Sequence, residues 1–359
     1  MSKPTISVIM ATYNHAGFVA QAIESVLGQL GVDFEFLITD DGSSDETRDV
    51  VAAIHDERIK FYPNEVNRGA CVVTNELIER ASGEFIALIN SDDYWCDADK
   101  LAYQLEFMRE NPEVGACFGQ ARFVDKDGTP IEKSALPFGS VFNQENRSQG
   151  AWLRRFFELG NCICHPSMLI RKACFDELGM YNNRLRQLPD LDMWIRLVKK
   201  YPIHIFDREL INFRIMPGEN ASSQTVTNSI RTINEHYLIA DTFFDGVTAE
   251  QVADGFGDLL EGRSIQSPEH LDIEKALLFM KYNQWLGKPY QMIGLLKLNK
   301  CLNSPLHHDI MVNEFGLTDR WFQNELGNID VLRPKVVAVM SQQKSKILSM
   351  WSKISSRLK

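Results

Sequence analysis

Asp92 and Asp93 stand side by side at the end of an apolar run, Phe85-Ile86-Ala87-Leu88-Ile89-Asn90-Ser91. Adjacent carboxylates repel unless a cation or a base offsets them, so a buried strand that delivers such a pair to its C-terminal edge reads as a holder for a metal ion. The same pair can also open a loop and cap the helix expected over 98–110. Both readings are open on these residues alone. Other side chains nearby suit a nucleoside diphosphate. Tyr13 offers an aromatic face for a base, Asp40 and Asp41 can accept hydrogen bonds from a base N–H or from ribose hydroxyls, and Asp93 can hold a divalent cation bridging the phosphates. Arg68, in Asn67-Arg68-Gly69, adds a cation. Each has a plain alternative: packing for Tyr13, turn formation ahead of Gly42 for the two acids, a surface ion pair for Arg68.

Elements must bring these residues together. Short apolar runs over 6–10, 34–39, 59–62 and 85–89 read as buried strands, and helical spacing fills 19–29, 45–54 and 70–81 between them. Ser43 and Glu46 carry the spacing of a capping box for the second helix. Strand and helix alternating four times imply an α/β fold with a parallel sheet covered on both faces and ligands off the C-terminal strand edge. Three polar clusters fall there: Thr12-Tyr13-Asn14, Asp40-Asp41-Gly42-Ser43 and Ser91-Asp92-Asp93. Beyond residue 225 the pattern changes to helices over 230–244, 250–261, 273–286 and 290–298, with no motif that carries chemistry. The expected organisation is a sheet-based domain over 1–225, a helical extension over 226–332 and a basic tail over 333–359.

With 359 residues, 44% hydrophobic and 24% charged, the chain has enough apolar side chains for a large packed core, which excludes disorder for most of it. Its net charge of −10 is uneven. After Asp330 the chain holds seven Lys and Arg residues and no acid, so everything before it is strongly acidic. That acidic body argues against nucleic acid as a partner. In the tail, Ile347, Trp351, Ile354 and Leu358 fall at helical spacing among Lys and Arg, the pattern of a helix lying on an anionic membrane surface. Docking on its own domain, or on a second copy in a homo-oligomer, is the competing reading. Seven cysteines without CxxC pairs suit reduced thiols, and no window reaches the ~18 apolar residues of a spanning helix. The expected location is cytoplasmic, with the tail a candidate for the inner face of the membrane.

The strings Ile6-Ser7-Val8-Ile9-Met10-Ala11-Thr12-Tyr13-Asn14, Thr39-Asp40-Asp41-Gly42-Ser43-Ser44-Asp45, Asn67-Arg68-Gly69 and Ala81-Ser82-Gly83-Glu84-Phe85-Ile86, leading into Asp92-Asp93, together resemble the family 2 glycosyltransferases over residues 5–215. The resemblance implies a GT-A fold, with a mostly parallel central sheet and helices on both faces, a nucleotide-sugar donor such as a UDP-sugar, and a divalent metal, Mn2+ or Mg2+. It also implies transfer to a saccharide or lipid-linked saccharide acceptor with inversion at the anomeric carbon. By analogy Asp93 is the metal-binding member of a DXD-like motif, Thr12, Tyr13 and Asp41 line the nucleoside pocket, and Asp92 is a positioning residue near the donor sugar or ribose. Ser91 departs from the pattern, because many relatives carry an acid there.

Such a transfer needs a general base for the acceptor hydroxyl. Leu188-Pro189-Asp190-Leu191-Asp192-Met193-Trp194 resembles the family's acidic segment at a helix start, which selects Asp190 as base and leaves Asp192 as a supporting or capping group, with Trp194 on the acceptor side. Capping of a helix over 192–200 is the plain alternative for both acids. His165, in a strand-like run similar to one on the acceptor side, either contacts phosphate or acceptor or is a hydrogen-bonded structural histidine. Met216 stands where relatives place a metal- or diphosphate-directed His, and a thioether is a poor partner for a hard cation. Two other classes compete with a glycosyltransferase: an inactive nucleotide-sugar-binding scaffold, and a sugar nucleotidyltransferase, which would carry Arg or Lys in a Gly-rich loop where Thr12 to Gly17 has none.

Overall fold

The structure, a computed structural model, describes residues 4–218, 225–261 and 265–331; the basic tail over 333–359 lies outside them. It divides into two compact units, Met1–Gly257 and Asp258–Lys359.

The first unit opens with the expected alternation: β1 (Ile6–Thr12), α1 (Val19–Leu27), β2 (Phe34–Asp40), α2 (Thr47–Ala53), β3 (Ile59–Phe61), α3 (Ala70–Arg80) and β4 (Phe85–Leu88). After these come β5 (Tyr94–Trp95), α4 (Lys100–Glu110), β6 (Ala116–Val124), α5 (Gln149–Leu159), β7 (Leu169–Arg171), α6 (Lys172–Leu178), α7 (Pro189–Lys200), β8 (Ile203–Arg214), α8 (Val226–Asp241) and α9 (Ala249–Phe256). The eight strands form one sheet in the order β3-β2-β1-β4-β7-β6-β8-β5. β3, β2, β1 and β4 are mutually parallel, as the alternation requires. The sheet is nevertheless mixed, because β7 runs antiparallel to both β4 and β6, and β5 antiparallel to β8.

Period-2 alternation explains why both faces are covered. Ile6, Val8 and Met10 of β1, with Phe34, Phe36 and Ile38 of β2, share a core with Val19, Ile23 and Val26 of α1 and Leu101 and Met108 of α4. The intervening Ile9 and Leu37 are equally buried but point to the opposite face, where α3 packs Val73, Leu77 and Ile78. With β2 on one side of β1 and β4 on the other, the winding reverses between β1 and β4, which opens a crevice at their C-terminal ends.

Two local expectations are corrected. α2 begins at Thr47 with no side-chain cap, so the Ser43–Glu46 capping box does not form. Ser43 instead donates its hydroxyl to Asp40 Oδ2 at 2.5 Å and accepts from the Asn14 amide at 2.9 Å, because the tight turn at Gly42 (φ +76°) directs it toward the sheet edge. Nor do Asp92 and Asp93 cap α4, which starts at Lys100 after an uncapped Asp99.

The second unit is helical. α10 (Pro268–Lys281), α11 (Gly287–Leu302), α12 (Pro305–Asn313) and α13 (Asp319–Asn328) enclose a small core of Ile273, Leu277, Leu298, Ile310 and Met311. All seven cysteines are unpaired thiols. No described helix is long and apolar enough to cross a membrane.

Candidate active site

The crevice gathers the polar clusters that lie far apart in the chain. β1 ends at Thr12, buried, with its Oγ1 lacking any hydrogen-bond partner. An unmatched buried hydroxyl costs about 1–3 kcal/mol, so this strand end is incomplete as a folding unit. Tyr13 follows with 45% of its surface exposed, leaving its ring free to stack on a base. Asn14 then adopts a left-handed φ of 53°, tolerable for Asn, and its Oδ1 accepts from the Ser44 amide at 2.8 Å. His15 joins the next cluster through a 2.7 Å hydrogen bond between Nδ1 and Ser91 Oγ. That bond occupies the serine standing where relatives carry an acid.

The acids at the end of β2 have a different job from the one their position suggests. Asp40 is fully buried, and its carboxylate accepts from Ser43 N and Oγ and lies 3.7 Å from Arg48 Nε. It forms the turn and is sealed from any ligand, which corrects its assignment to the nucleoside. Asp41 Oδ1 accepts from Asn64 Nδ2 at 3.0 Å and from the Arg68 amide at 2.9 Å, while Oδ2 accepts from the Gly69 amide at 2.8 Å. Asp41 thus holds the loop over 64–69 against the strand end and keeps a lone pair on Oδ2 for a ligand. The Arg68 guanidinium pairs with Glu76 of α3, at 3.0 Å from NH1 to Oε2, and its backbone amide binds Asp41.

Asp93 is buried, with Oδ1 accepting from the Arg214 amide at 2.8 Å and Oδ2 from Asn90 Nδ2 at 3.0 Å. Burial pushes its carboxyl well above the usual range, and the neighbouring Asp92 pushes it further. Arg214, itself buried at the end of β8, fastens this turn: Nε donates to the Asp92 carbonyl at 2.9 Å and NH2 to Gln21 Oε1 at 2.7 Å, with the guanidinium 4.8 Å from the Phe18 ring. Its charge also draws the Asp93 carboxyl down, against the larger rise from burial and Asp92. Met216 is buried beyond it.

Among the described residues no group of three or more His, Cys, Asp or Glu side chains could hold a metal ion. The residues present still fit one. A buried carboxyl raised by burial and by a like-charged neighbour is relieved by a divalent cation, and Mg2+-type ions are held by one or two carboxylates with substrate phosphates and water.

α7 starts at Pro189 and puts Asp190 in its first turn, near Cys71 at the start of α3, just after the Gly69 amide that binds Asp41. Asp190 Oδ2 accepts from Asn161 Nδ2 at 2.6 Å, and Oδ1 from the Leu191 amide at 2.8 Å. Burial raises its carboxyl to about 6, against the lowering effect of those two bonds. A base poised near neutrality is what proton abstraction from a hydroxyl uses. Asp192 neither caps nor joins it: one oxygen binds Arg196 Nε and NH2 at 3.0 and 2.8 Å, and Arg196 also reaches the carbonyls of Leu178, Gly179 and Met180. Trp194 is fully buried, 4.8 Å from the Phe118 ring and 5.4 Å from that of His165, so it belongs to the core and cannot meet an acceptor. His165 bonds Tyr181 Oη at 2.8 Å, and burial lowers its ring to about 4, leaving a neutral histidine in a structural role. Beside Asp192 and Arg196 lies an open groove of about 910 Å³, which Asn75, Glu76 and Asn183 also line.

Residues 7–177 match the description "Glycosyl transferase family 2". A putative teichuronic acid biosynthesis glycosyltransferase of Bacillus subtilis, TuaG, is 34% identical over 225 residues, 62% of this chain and 83% of that protein. The chain belongs to glycosyl transferase family 2. It is a glycosyltransferase with the GT-A fold. An Escherichia coli relative, the UDP-Glc:alpha-D-GlcNAc-diphosphoundecaprenol beta-1,3-glucosyltransferase WfgD, is 42% identical over 144 residues, 40% of this chain and 56% of that one. Among solved structures, TarS of S. aureus in complex with UDP-GlcNAc superposes with a TM-score of 0.55, covering 85% of this chain and 86% of that chain at 18% identity, a likeness of fold.

Several residues of this glycosyltransferase's site carried no sequence signal. Asn161, His15 and Asn64 act through contacts made only once distant segments meet, and nothing in their local spacing marks them. Asn90 was visible only as a flank of the paired acids.

Proposed function

We propose that this enzyme moves a sugar from a nucleoside diphosphate sugar, a UDP-sugar, to a saccharide acceptor in surface polysaccharide biosynthesis, with inversion at the anomeric carbon and Asp190 as the general base. The observation that carries the reading is Asp190 itself: a carboxyl at a helix start, oriented by Asn161 at 2.6 Å and raised by burial to about 6. In the step, the acceptor hydroxyl gives its proton to Asp190, its oxygen bonds to the anomeric carbon, and the bond from that carbon to the diphosphate oxygen breaks. Asp93, with Asp92 beside it, would hold a Mn2+ or Mg2+ ion, which supplies charge neutralisation for the departing diphosphate. Tyr13, Asn14 and the Thr12 strand end form the nucleoside side, and the groove along Asp192 and Arg196 accommodates the acceptor.

WfgD, whose name gives a UDP-Glc donor and a diphosphoundecaprenol-linked acceptor, supports a UDP donor and a lipid-linked saccharide acceptor here. TuaG, named for teichuronic acid biosynthesis, supports the polysaccharide role. The basic tail over 333–359 would then hold the enzyme at the cytoplasmic face of the membrane. Donor binding is tested by calorimetry against a panel of UDP- and GDP-sugars with Mn2+, and stereochemistry by NMR of the product's anomeric proton. No binding to any UDP-sugar, or retention of configuration, contradicts the reading. Vesicle sedimentation of the full chain against one ending near Asp330 tests the tail, and equal partitioning on anionic lipid removes the membrane role.

A further inference from the structure

Glu235 lies on α8, in the stretch where the sequence shows no motif, and is 4% exposed although it is an acid. Its Oε1 accepts from the backbone amide of Arg186 at 2.9 Å, and its Oε2 from those of Gln187 and Leu188, both at 2.8 Å. These consecutive amides lead directly into α7, whose N-cap, Leu188, has no side chain able to satisfy them. A carboxylate from another helix does so instead, and Asp190 follows two residues later. The next residue on α8, His236, is buried against the second segment that meets Asp190. A Cβ placed on Gly160 (φ +75°) would come within 2.9 Å of His236 Cε1, and Gly160 precedes Asn161, the donor to Asp190. One face of α8 therefore backs both segments that meet at Asp190, while Val226, Ile230 and Ile233 face away and are exposed.

We infer that Glu235 is a positioning residue for sugar transfer: by collecting the amides of Arg186, Gln187 and Leu188 it fixes the start of α7 and so the place of the Asp190 carboxylate. The inference rests on the reading of Asp190 as base. Charge adds to geometry. The groups facing Asp190 are Glu235 from α8, Cys71 from α3 and Tyr181; burial holds the thiol and the phenol in their neutral forms. Glu235 is then the nearby charge that favours protonated Asp190, after burial. Misplacement of a base by about 1 Å costs on the order of a hundredfold in rate.

The test uses the full chain, with Glu235→Gln and Glu235→Asp compared with wild type and with Asp190→Asn. Whichever way it turns, the amide of E235Q presents a donor to at least one backbone amide that now donates to Glu235. Its turnover with UDP-glucose or another donor found by calorimetry should fall about ten- to a hundredfold with donor KM unchanged. The Asp190 pKa, followed by carboxyl-carbon NMR in the free protein and assigned by subtraction of D190N, should fall below about 6. E235D keeps the charge with a shorter reach and should recover part of both. E235Q with wild-type turnover and an unmoved Asp190 pKa overturns the inference; if E235Q does not fold, the same two results in E235D overturn it. Loss of donor affinity in step with turnover also overturns it, because that is the signature of general structural damage. Full activity in D190N would instead overturn the assignment of the base, a different failure.

Discussion

The two ends of the sheet treat buried carboxylates in opposite ways. At the N-terminal end of β1 and β2, Glu35 is 5% exposed and its charge is fully answered: Ser7 Oγ, Ser82 N and Ser82 Oγ donate to Oε1 at 2.6 to 2.7 Å, and Lys60 Nζ to Oε2 at 2.6 Å. Burial alone would raise this carboxyl, but the Lys60, Ser7 and Ser82 hydrogen bonds outweigh it and bring it down to about 2. At the C-terminal edge Asp93 has two donors and a like-charged neighbour and is pushed up, and Asp190 at the start of α7 is raised to about 6. A fold that satisfies a buried acid so completely at one end, and does not at the other, supports the roles proposed for Asp93 with a metal and for Asp190 with a proton.

The contrast can be broken most severely at Asp190. Asp190→Asn should lower transfer by about a thousandfold, within the span typical of general-base loss, while donor binding by calorimetry stays within about twofold. Asp93→Asn comes next: metal-dependent donor affinity should drop by tenfold or more, and thermal stability of the ligand-free protein should hold or rise. The reason is that Asn90 can rotate its amide to accept from the new Nδ2, and the buried charge is gone. The same isosteric change at Glu35 should do the reverse, costing about 2 kcal/mol in denaturant unfolding with no loss of donor binding, because Lys60 and the serine donors lose their acceptor geometry. The smallest expected effect is in the pH dependence of stability. Glu35 titrates lower in the fold than its ordinary 4.5, so its stabilisation is complete above about 4.5 and is lost as pH falls toward about 2. Asp190 titrates higher than its ordinary 3.8, so it withdraws stability as pH rises from there to about 6. Comparing E35Q with D190N melts across that range should remove the low-pH loss in the first and the higher-pH loss in the second.

Much of the fold was legible because the first four strands and three helices alternate with clean apolar periodicity, and the polar clusters at strand ends then fall on one edge. The antiparallel β7 was not, since a three-residue strand, two of its residues buried, pairs alike in either direction and the choice depends on where the chain returns. In the site, residue type singled out Asp93 and Asp190 as candidates, whereas the contacts of Asp40 and Arg68 were not legible. Asp40 turns inward to serve Ser43, and Arg68 finds Glu76 on α3, both decided by loop geometry that spacing does not encode. Trp194 was misplaced because a Trp on an amphipathic helix gives no sign of which face it takes. Glu235 was invisible for a stronger reason: its partners are backbone amides, which every sequence supplies.

The most direct test of Asp190 as base is the pH dependence of kcat/KM at saturating Mn2+, which reports the free enzyme's essential groups. The account predicts that transfer rises with pH through an acid limb near 6, where Asp190 loses its proton. A rate that is flat from about pH 4.5 to 7.5 would contradict it, since no carboxylic acid with a raised pKa would then govern the step.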